Sequence, residues 1–271
     1  FEDNYTIHTE RHSFTAPFIN AEETEYLVIE DNYTNGRPPL DLGGVLYTTR
    51  ETVDKVETMK VTTCLNPLHT AMSIYGCMLG YDLISAEMKD EDIRSFIQKI
   101  GYIEAMPVVT DPGVLNPYEF IGAVLNRRLP NPFMPDAPQR IAMDTSQKLA
   151  IRFGETIKSY IAREDLNVTD LTYVPLAIAG WLRYLLAVDD NGNAFECSSD
   201  PMLETLQNQL SGVKLGDPAS AAGKLEAILT NDTLFGTDLV KCGLSGKIET
   251  MFSEMLAGPG AVSATLVKYL G

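Results

Sequence analysis

Two patterns of apolar and polar positions divide the chain. Residues 1 to about 50 are rich in Thr, Tyr, Asn, Gly and Pro, and their apolar residues come in short runs. Residues 26–29 and 45–48 read as short strands, with the turn-rich stretch 32–39 (Asn-Tyr-Thr-Asn-Gly-Arg-Pro-Pro) between them. From about residue 51 the apolar positions recur at helical spacing. Residues 51–59 read as a short polar helix or turn. Residues 67–83 are mostly apolar with Gly76 and Gly80 inside, as in a buried helix closely crossed by neighbours. Residues 90–103 are amphipathic, with Ile93, Phe96, Ile97 and Ile100 on one face. Stretches 117–129, 146–162, 171–188, 201–210, 219–230, 244–256 and 261–270 continue the series. Asp200-Pro201 and Asp217-Pro218 read as helix starts, an N-cap aspartate followed by proline at the first helical position. The expectation is a mainly α fold: a short β/loop segment over 1–50, then a helical domain over 51–271.

Charge and composition narrow the partners. The 271 residues carry 21 Lys and Arg against 37 Asp and Glu, a formal charge of −16. No basic run interrupts that balance, which argues against a nucleic-acid or anionic-membrane partner. No apolar stretch approaches the roughly 18 residues that span a bilayer; 174–188 is broken by Trp181-Leu-Arg183. The start, Phe1-Glu-Asp-Asn, has neither a Met nor a signal-peptide pattern. The expectation is a piece of a longer protein. Cys64, Cys77, Cys197 and Cys242 are scattered singly, as reduced thiols of a cytoplasmic protein are. The Asn-x-Thr matches at Asn4, Asn32, Asn167 and Asn231 are then chance.

Candidate chemistry starts from absences. The sequence has no Gly-x-Gly-x-x-Gly, no Walker loop and no serine nucleophile elbow; Gly258-Pro-Gly260 lacks the third glycine and a preceding strand. His8 and His12 are four apart, but their surroundings look extended and no third ligand suggests itself, so no metal site is expected. The informative stretch is 57–69, with Lys60, Asn66 and His69 at the mouth of an apolar helix. Asn66 and His69 are three apart and share a helix face. Alcohol–ketone interconversion needs such a set: a base for the hydroxyl proton and two groups that hydrogen-bond the oxygen while it carries charge. Lysine is a poor base at neutral pH until burial or a nearby cation lowers its pKa, and an oxidised nicotinamide ring is such a cation. Plainer readings stand beside this one. Asn66 before Pro67 also reads as a helix cap, His69 as a half-buried structural histidine, and Lys60 as a solvated lysine.

The stretch Val28-Ile-Glu-Asp-Asn-Tyr-Thr-Asn-Gly-Arg-Pro-Pro39, then Gly44-Val45, Glu57-Thr-Met-Lys60 and Asn66-Pro-Leu-His69-Thr-Ala, resembles the C-terminal half of the mannitol dehydrogenase family. A second block agrees: Asn131-Pro132, Asp136, Arg140-Ile-Ala-Met-Asp144 and Ser146-Gln-Lys148. The family comprises long-chain, metal-independent polyol and hexuronate dehydrogenases, fructuronate reductase (mannonate oxidoreductase) among them. The resemblance implies that Lys60 is the catalytic base and that Asn66 and His69 polarise the substrate oxygen. It implies that Arg140 and Lys148 bind the substrate's polar groups. It implies that Glu57 passes the lysine's proton to water, although a solvated acid on a short turn fits Glu57 equally. The fold implied resembles the C-terminal domain of 6-phosphogluconate dehydrogenase. The cofactor implied is NAD or NADP, held mainly by an N-terminal Rossmann domain that this chain lacks.

One departure from the pattern is visible. Five residues separate Lys60 from Asn66, one more than in the family. On one regular helix the extra residue would rotate Lys60 by about 100°. A loop before a helix starting near Asn66 would absorb it. The function expected is therefore a dehydrogenase half acting on a sugar acid or polyol, with D-mannonate/D-fructuronate favoured because two cations suit a carboxylate. Mannitol/fructose 2-dehydrogenation is the alternative substrate reading. A non-catalytic helical interaction domain is the alternative of another class.

Overall fold

The structure is a computed structural model that describes residues 27–134 and 136–271, with the backbone of two further short strands, β1 (Ile7–His8) and β2 (Phe14–Thr15). His12 lies outside the described residues, and so does Tyr26 at the edge of the first expected strand. Strands β3 (Val28–Glu30) and β4 (Leu46–Thr48) pair in parallel, Val28 opposite Leu46 and Glu30 opposite Thr48. A parallel pair requires a crossover rather than a hairpin. Here the turn-rich stretch and a 3₁₀ turn, Leu40–Gly43, supply it. Arg37 holds the crossover together, pairing with Asp31 at 3.0 Å and Asp41 at 3.2 Å and lying over the Tyr47 ring at 4.5 Å.

After β4 the regular elements are helices, joined by loops. Thr49 accepts a hydrogen bond from the Thr52 amide and starts α1 (Arg50–Met59). A π-helical turn, Lys60–Cys64, continues it and leads through Leu65 into α2 (Asn66–Leu79). Gly80 does not sit inside α2 as expected. It ends the helix in the left-handed region at φ 81°, which favours glycine. Then come α3 (Ile84–Glu87), α4 (Glu91–Gln98), α5 (Pro117–Ala123) and α6 (Pro138–Ile141). They are followed by α7 (Glu155–Ala162), α8 (Tyr173–Tyr184), α9 (Leu203–Gln209) and α10 (Glu226–Leu229). The series closes with α11 (Asp232–Phe235), α12 (Ser245–Met255) and α13 (Ala261–Leu270). Further π turns extend α4 and α5 and precede α7, over Lys99–Ala105, Val124–Arg128 and Ala150–Gly154.

The apolar all-round stretch expected at 171–188 becomes α8, buried from Val174 to Tyr184 and packed between α2 and α12. Tyr75 of α2 donates its hydroxyl to the Leu176 carbonyl at 3.0 Å, and a Cβ on Gly180 would collide with the Tyr75 ring. Glycine at 180 is what lets the two helices cross so closely. The N-terminus of α8 would otherwise bury orphan amides. Glu104, itself buried, accepts from Tyr173 N at 2.8 Å and Val174 N at 2.7 Å and from Thr172 N. The helix expected to start at Asp200-Pro201 begins instead at Leu203 with Met202 as its cap residue, and Asp200 accepts from Met202 N at 2.9 Å in the turn before it. Asp217 makes no side-chain cap, and 219–230 is not one helix: a 3₁₀ turn, Pro218–Ala221, is cut from α10 by Gly223 at φ 70°.

Candidate active site

One cleft of about 740 Å³ gathers all six residues singled out in the sequence: Glu57, Lys60, Asn66, His69, Arg140 and Lys148. Its apolar lining includes Leu27, Val28, Val53 and Val56. Positions 53, 56, 57 and 60 recur at helical spacing, so α1 turns a single face to the cleft. Lys60 pairs with Glu57 at 3.0 Å, three residues back on that face.

The extra residue between Lys60 and Asn66 is absorbed differently from the loop expected. Leu65 N donates to Lys60 O at 3.1 Å, a bond across five residues where an α-helix spans four. Such a π turn takes one more residue without ending the helix. Leu65, at φ −133° and ψ −62°, then redirects the chain, and α2 begins at Asn66. The helix cap of α2 is Leu65, with no side-chain bond. Asn66 is thus the first residue of the helix and not its cap. Among the described residues its side-chain amide makes no hydrogen bond. Its backbone carbonyl accepts from Thr70 Oγ1 at 2.9 Å, and Arg152 donates in turn to that hydroxyl.

His69 is largely buried. Burial is the main reason its pKa falls to about 4; Asp136 opposes the shift, while Arg128, Arg152 and Arg140 add to it. The imidazole is neutral at pH 7. Its Nε2 lies 3.5 Å from Asp136 Oδ2. Asp136 Oδ1 accepts from Arg140 Nε at 2.7 Å and Nη2 at 2.6 Å.

Lys148 follows a loop that Asp200 fastens by accepting from Ser146 N at 2.8 Å and from the Ser146 hydroxyl. Its ammonium donates to Ile141 O at 3.4 Å and to Met143 O, carbonyls at and just after the end of α6. Burial, then the nearby Arg152, lowers the Lys148 pKa. Arg152 is brought down to about 10 by burial and stays charged at pH 7. The lining therefore holds five cationic side chains, Lys60, Arg128, Arg140, Lys148 and Arg152, against the carboxylates of Glu57 and Asp136. In a chain of charge −16 this is a local reversal. Among the described residues no group of three or more His, Cys, Asp or Glu side chains is arranged to hold a metal ion.

The family described as the mannitol dehydrogenase C-terminal domain matches residues 52–256, which run from within α1 through α12 and include every polar residue of the cleft. The chain belongs to the mannitol dehydrogenase family. A D-mannonate oxidoreductase of Thermotoga maritima is 52% identical over 265 residues, 97% of this chain and 49% of that protein. A D-mannonate oxidoreductase of Escherichia coli is 31% identical over 226 residues, 82% of this chain and 42% of that protein. Among solved structures, a Pseudomonas fluorescens mannitol 2-dehydrogenase in ternary complex with NAD and D-mannitol superposes with a TM-score of 0.70 at 25% identity. It matches over 89% of this chain and 45% of its own. A D-sorbitol dehydrogenase in substrate-free form shares the fold at the same TM-score. The chain spans about half the length of the relatives it matches.

Beyond the residues singled out in the sequence, the cleft also holds Arg128, Arg152 and Asp136. Two signals were available: Asp136 and Arg140 are four apart, and so are Lys148 and Arg152, the spacing at which side chains on a helix meet.

Proposed function

We propose that this chain forms the substrate-binding and catalytic half of a nicotinamide-dependent dehydrogenase that interconverts a secondary alcohol and a ketone of a sugar acid or polyol. The observation that carries the reading is the convergence of Glu57, Lys60, Asn66, His69, Arg140 and Lys148 on one cleft. Lys60 takes the hydroxyl proton of the substrate and returns it to the ketone oxygen in the reverse direction. Glu57, 3.0 Å from the ammonium and about half exposed, passes that proton to water. The Asn66 amide donates to the oxygen as negative charge grows on it. His69 meets the sugar as a neutral imidazole, and Arg140 and Lys148 hold its remaining polar groups.

The set moves protons and supplies hydrogen bonds, and none of its members accepts a hydride, so its chemistry fits a nicotinamide partner. Bound beside this cleft, an oxidised nicotinamide supplies the hydride acceptor. The sequence offers no Gly-rich strand–turn–helix to seat one. The seat belongs to an N-terminal Rossmann domain outside this chain, packed on the helical domain of residues 51–271. Four thiols, three of them buried, suit the reducing cytoplasm.

Charge selects among the substrates. Five cations against two carboxylates favour an anionic sugar, which points to D-mannonate and D-fructuronate. The test is a panel on the full-length protein: mannonate, altronate, mannitol, arabinitol and sorbitol, each with NAD and NADP. The expected result is the highest kcat/KM for an aldonate. A preference for mannitol would transfer the reading to mannitol/fructose 2-dehydrogenation. Turnover of none of the panel would favour a non-catalytic helical domain.

A further inference from the structure

One carboxylate in the cleft serves two side chains. Asp136 is fixed through its backbone, its amide donating to Met134 O at 2.7 Å and its carbonyl accepting from Ile84 N at 2.9 Å. One of its oxygens, Oδ1, accepts from two nitrogens of Arg140. The other, Oδ2, faces His69 Nε2. That ring nitrogen is fully buried and, among the described residues, has no hydrogen-bond partner at the present 3.5 Å. A buried polar atom is costly unless paired, and a closure of about half an ångström brings this pair to hydrogen-bond distance.

We propose that Asp136 is a positioning residue that orders His69 and Arg140 together, one carboxylate oxygen on each. The Arg140 side chain is 65% exposed and rotamer-rich, so a fixed carboxylate at its base removes freedom that the substrate would otherwise have to remove. The effect on His69 is a choice of tautomer. A neutral imidazole beside a carboxylate keeps its one proton on the nitrogen that faces the carboxylate. Nε2 carries that proton, and Nδ1, the nitrogen left for a ligand, accepts. His69 then receives a hydrogen bond from a sugar hydroxyl. Donation to the reacting oxygen falls to Asn66 and the Lys60 ammonium.

The kinetic half of the test rests on the dehydrogenase reading, and the spectroscopic half does not. This chain contributes three histidines, and comparison with His69→Ala assigns the His69 signals in the spectrum of the full-length protein selectively ¹⁵N-labelled at histidine. At pH 7 His69 is expected as the Nε2–H tautomer; an Nδ1–H or doubly protonated ring would overturn the proposal. In Asp136→Asn the tautomer preference is expected to weaken, and an unchanged His69 signal would count against the role. On activity, Asp136→Asn is expected to raise KM for the sugar and to lower kcat, each by about tenfold or more. The kcat loss should vanish in a His69→Ala background and the KM rise in an Arg140→Ala background. Losses of equal size in all three backgrounds, or changes below about twofold, would overturn it. If Asp136→Asn does not fold, the wild-type tautomer still decides.

Discussion

Burial acts on two titratable side chains near the cleft in opposite directions. His69 is held neutral. In the full-length enzyme, kcat/KM is therefore expected to show no histidine inflection between pH 5 and 7.5, and an inflection there that His69→Asn abolishes would contradict the account. Glu87 is fully buried against Gly76, both its oxygens lack a hydrogen-bond partner among the described residues, and burial, then Asp136 and Asp90, push its pKa up to about 9. The acid is neutral in the folded protein at pH 7 and ionised in the unfolded chain. Its contribution to stability is complete below the ordinary value of 4.5 and is lost as pH rises towards about 9. Glu87→Gln removes that loss. It should raise Tm at pH 8 by about 2–4 °C for each kcal/mol recovered and do little at pH 4.5; equal effects in melts at the two pH values would refute it. Residue identities near the helix mouth were legible because Lys60, Asn66 and His69 lie within ten positions. Arg128 was not, because it comes from a separate π turn that only packing brings to the cleft.

At the scale of elements, the apolar period located the long helices, and Ala261–Leu270 falls where the pattern put it. It did not reveal the π turns. Widening by one residue leaves the apolar spacing almost unchanged while rotating everything before it. The turn at Lys60–Cys64 is where this matters, since it sets Lys60 against Asn66. Inserting one alanine after Thr62 is expected to swing Lys60 by about 100° relative to Asn66. Turnover of the full-length enzyme should fall by about 100-fold or more with secondary structure by circular dichroism retained. Activity within about twofold of wild type would show that the spacing across this turn plays no part. A second junction is equally specific. A Cβ on Gly154 would stand 1.9 Å from the Phe235 carbonyl, a backbone atom that cannot turn aside. Gly154→Ala should destabilise by about 1–3 kcal/mol, read as a lower Tm; an unchanged Tm would show that the π turn and α11 separate freely.

For the molecule as a whole, the contrast between a formal charge of −16 and a cation-rich cleft is the feature that composition concealed. Counting charges along the chain argued against nucleic acid as a partner but said nothing about where the cations gather. Salt screens such a field within roughly 8–10 Å at physiological strength. KM for an aldonate should rise several-fold between about 0.05 and 0.5 M salt while KM for a neutral polyol stays flat, and parallel curves for the two would remove the charge argument. The mechanism itself turns on the amine at the cleft mouth. The decisive measurement is steady-state cofactor reduction by the full-length enzyme with its best sugar, wild type against Lys60→Ala, with Tm recorded for both. Loss of a general base costs about 10²–10⁴ in rate. The expected result is a kcat lower by that factor with Tm unchanged within about 2 °C; an unaltered kcat would contradict the assignment of Lys60 and, with it, the reaction proposed for this cleft.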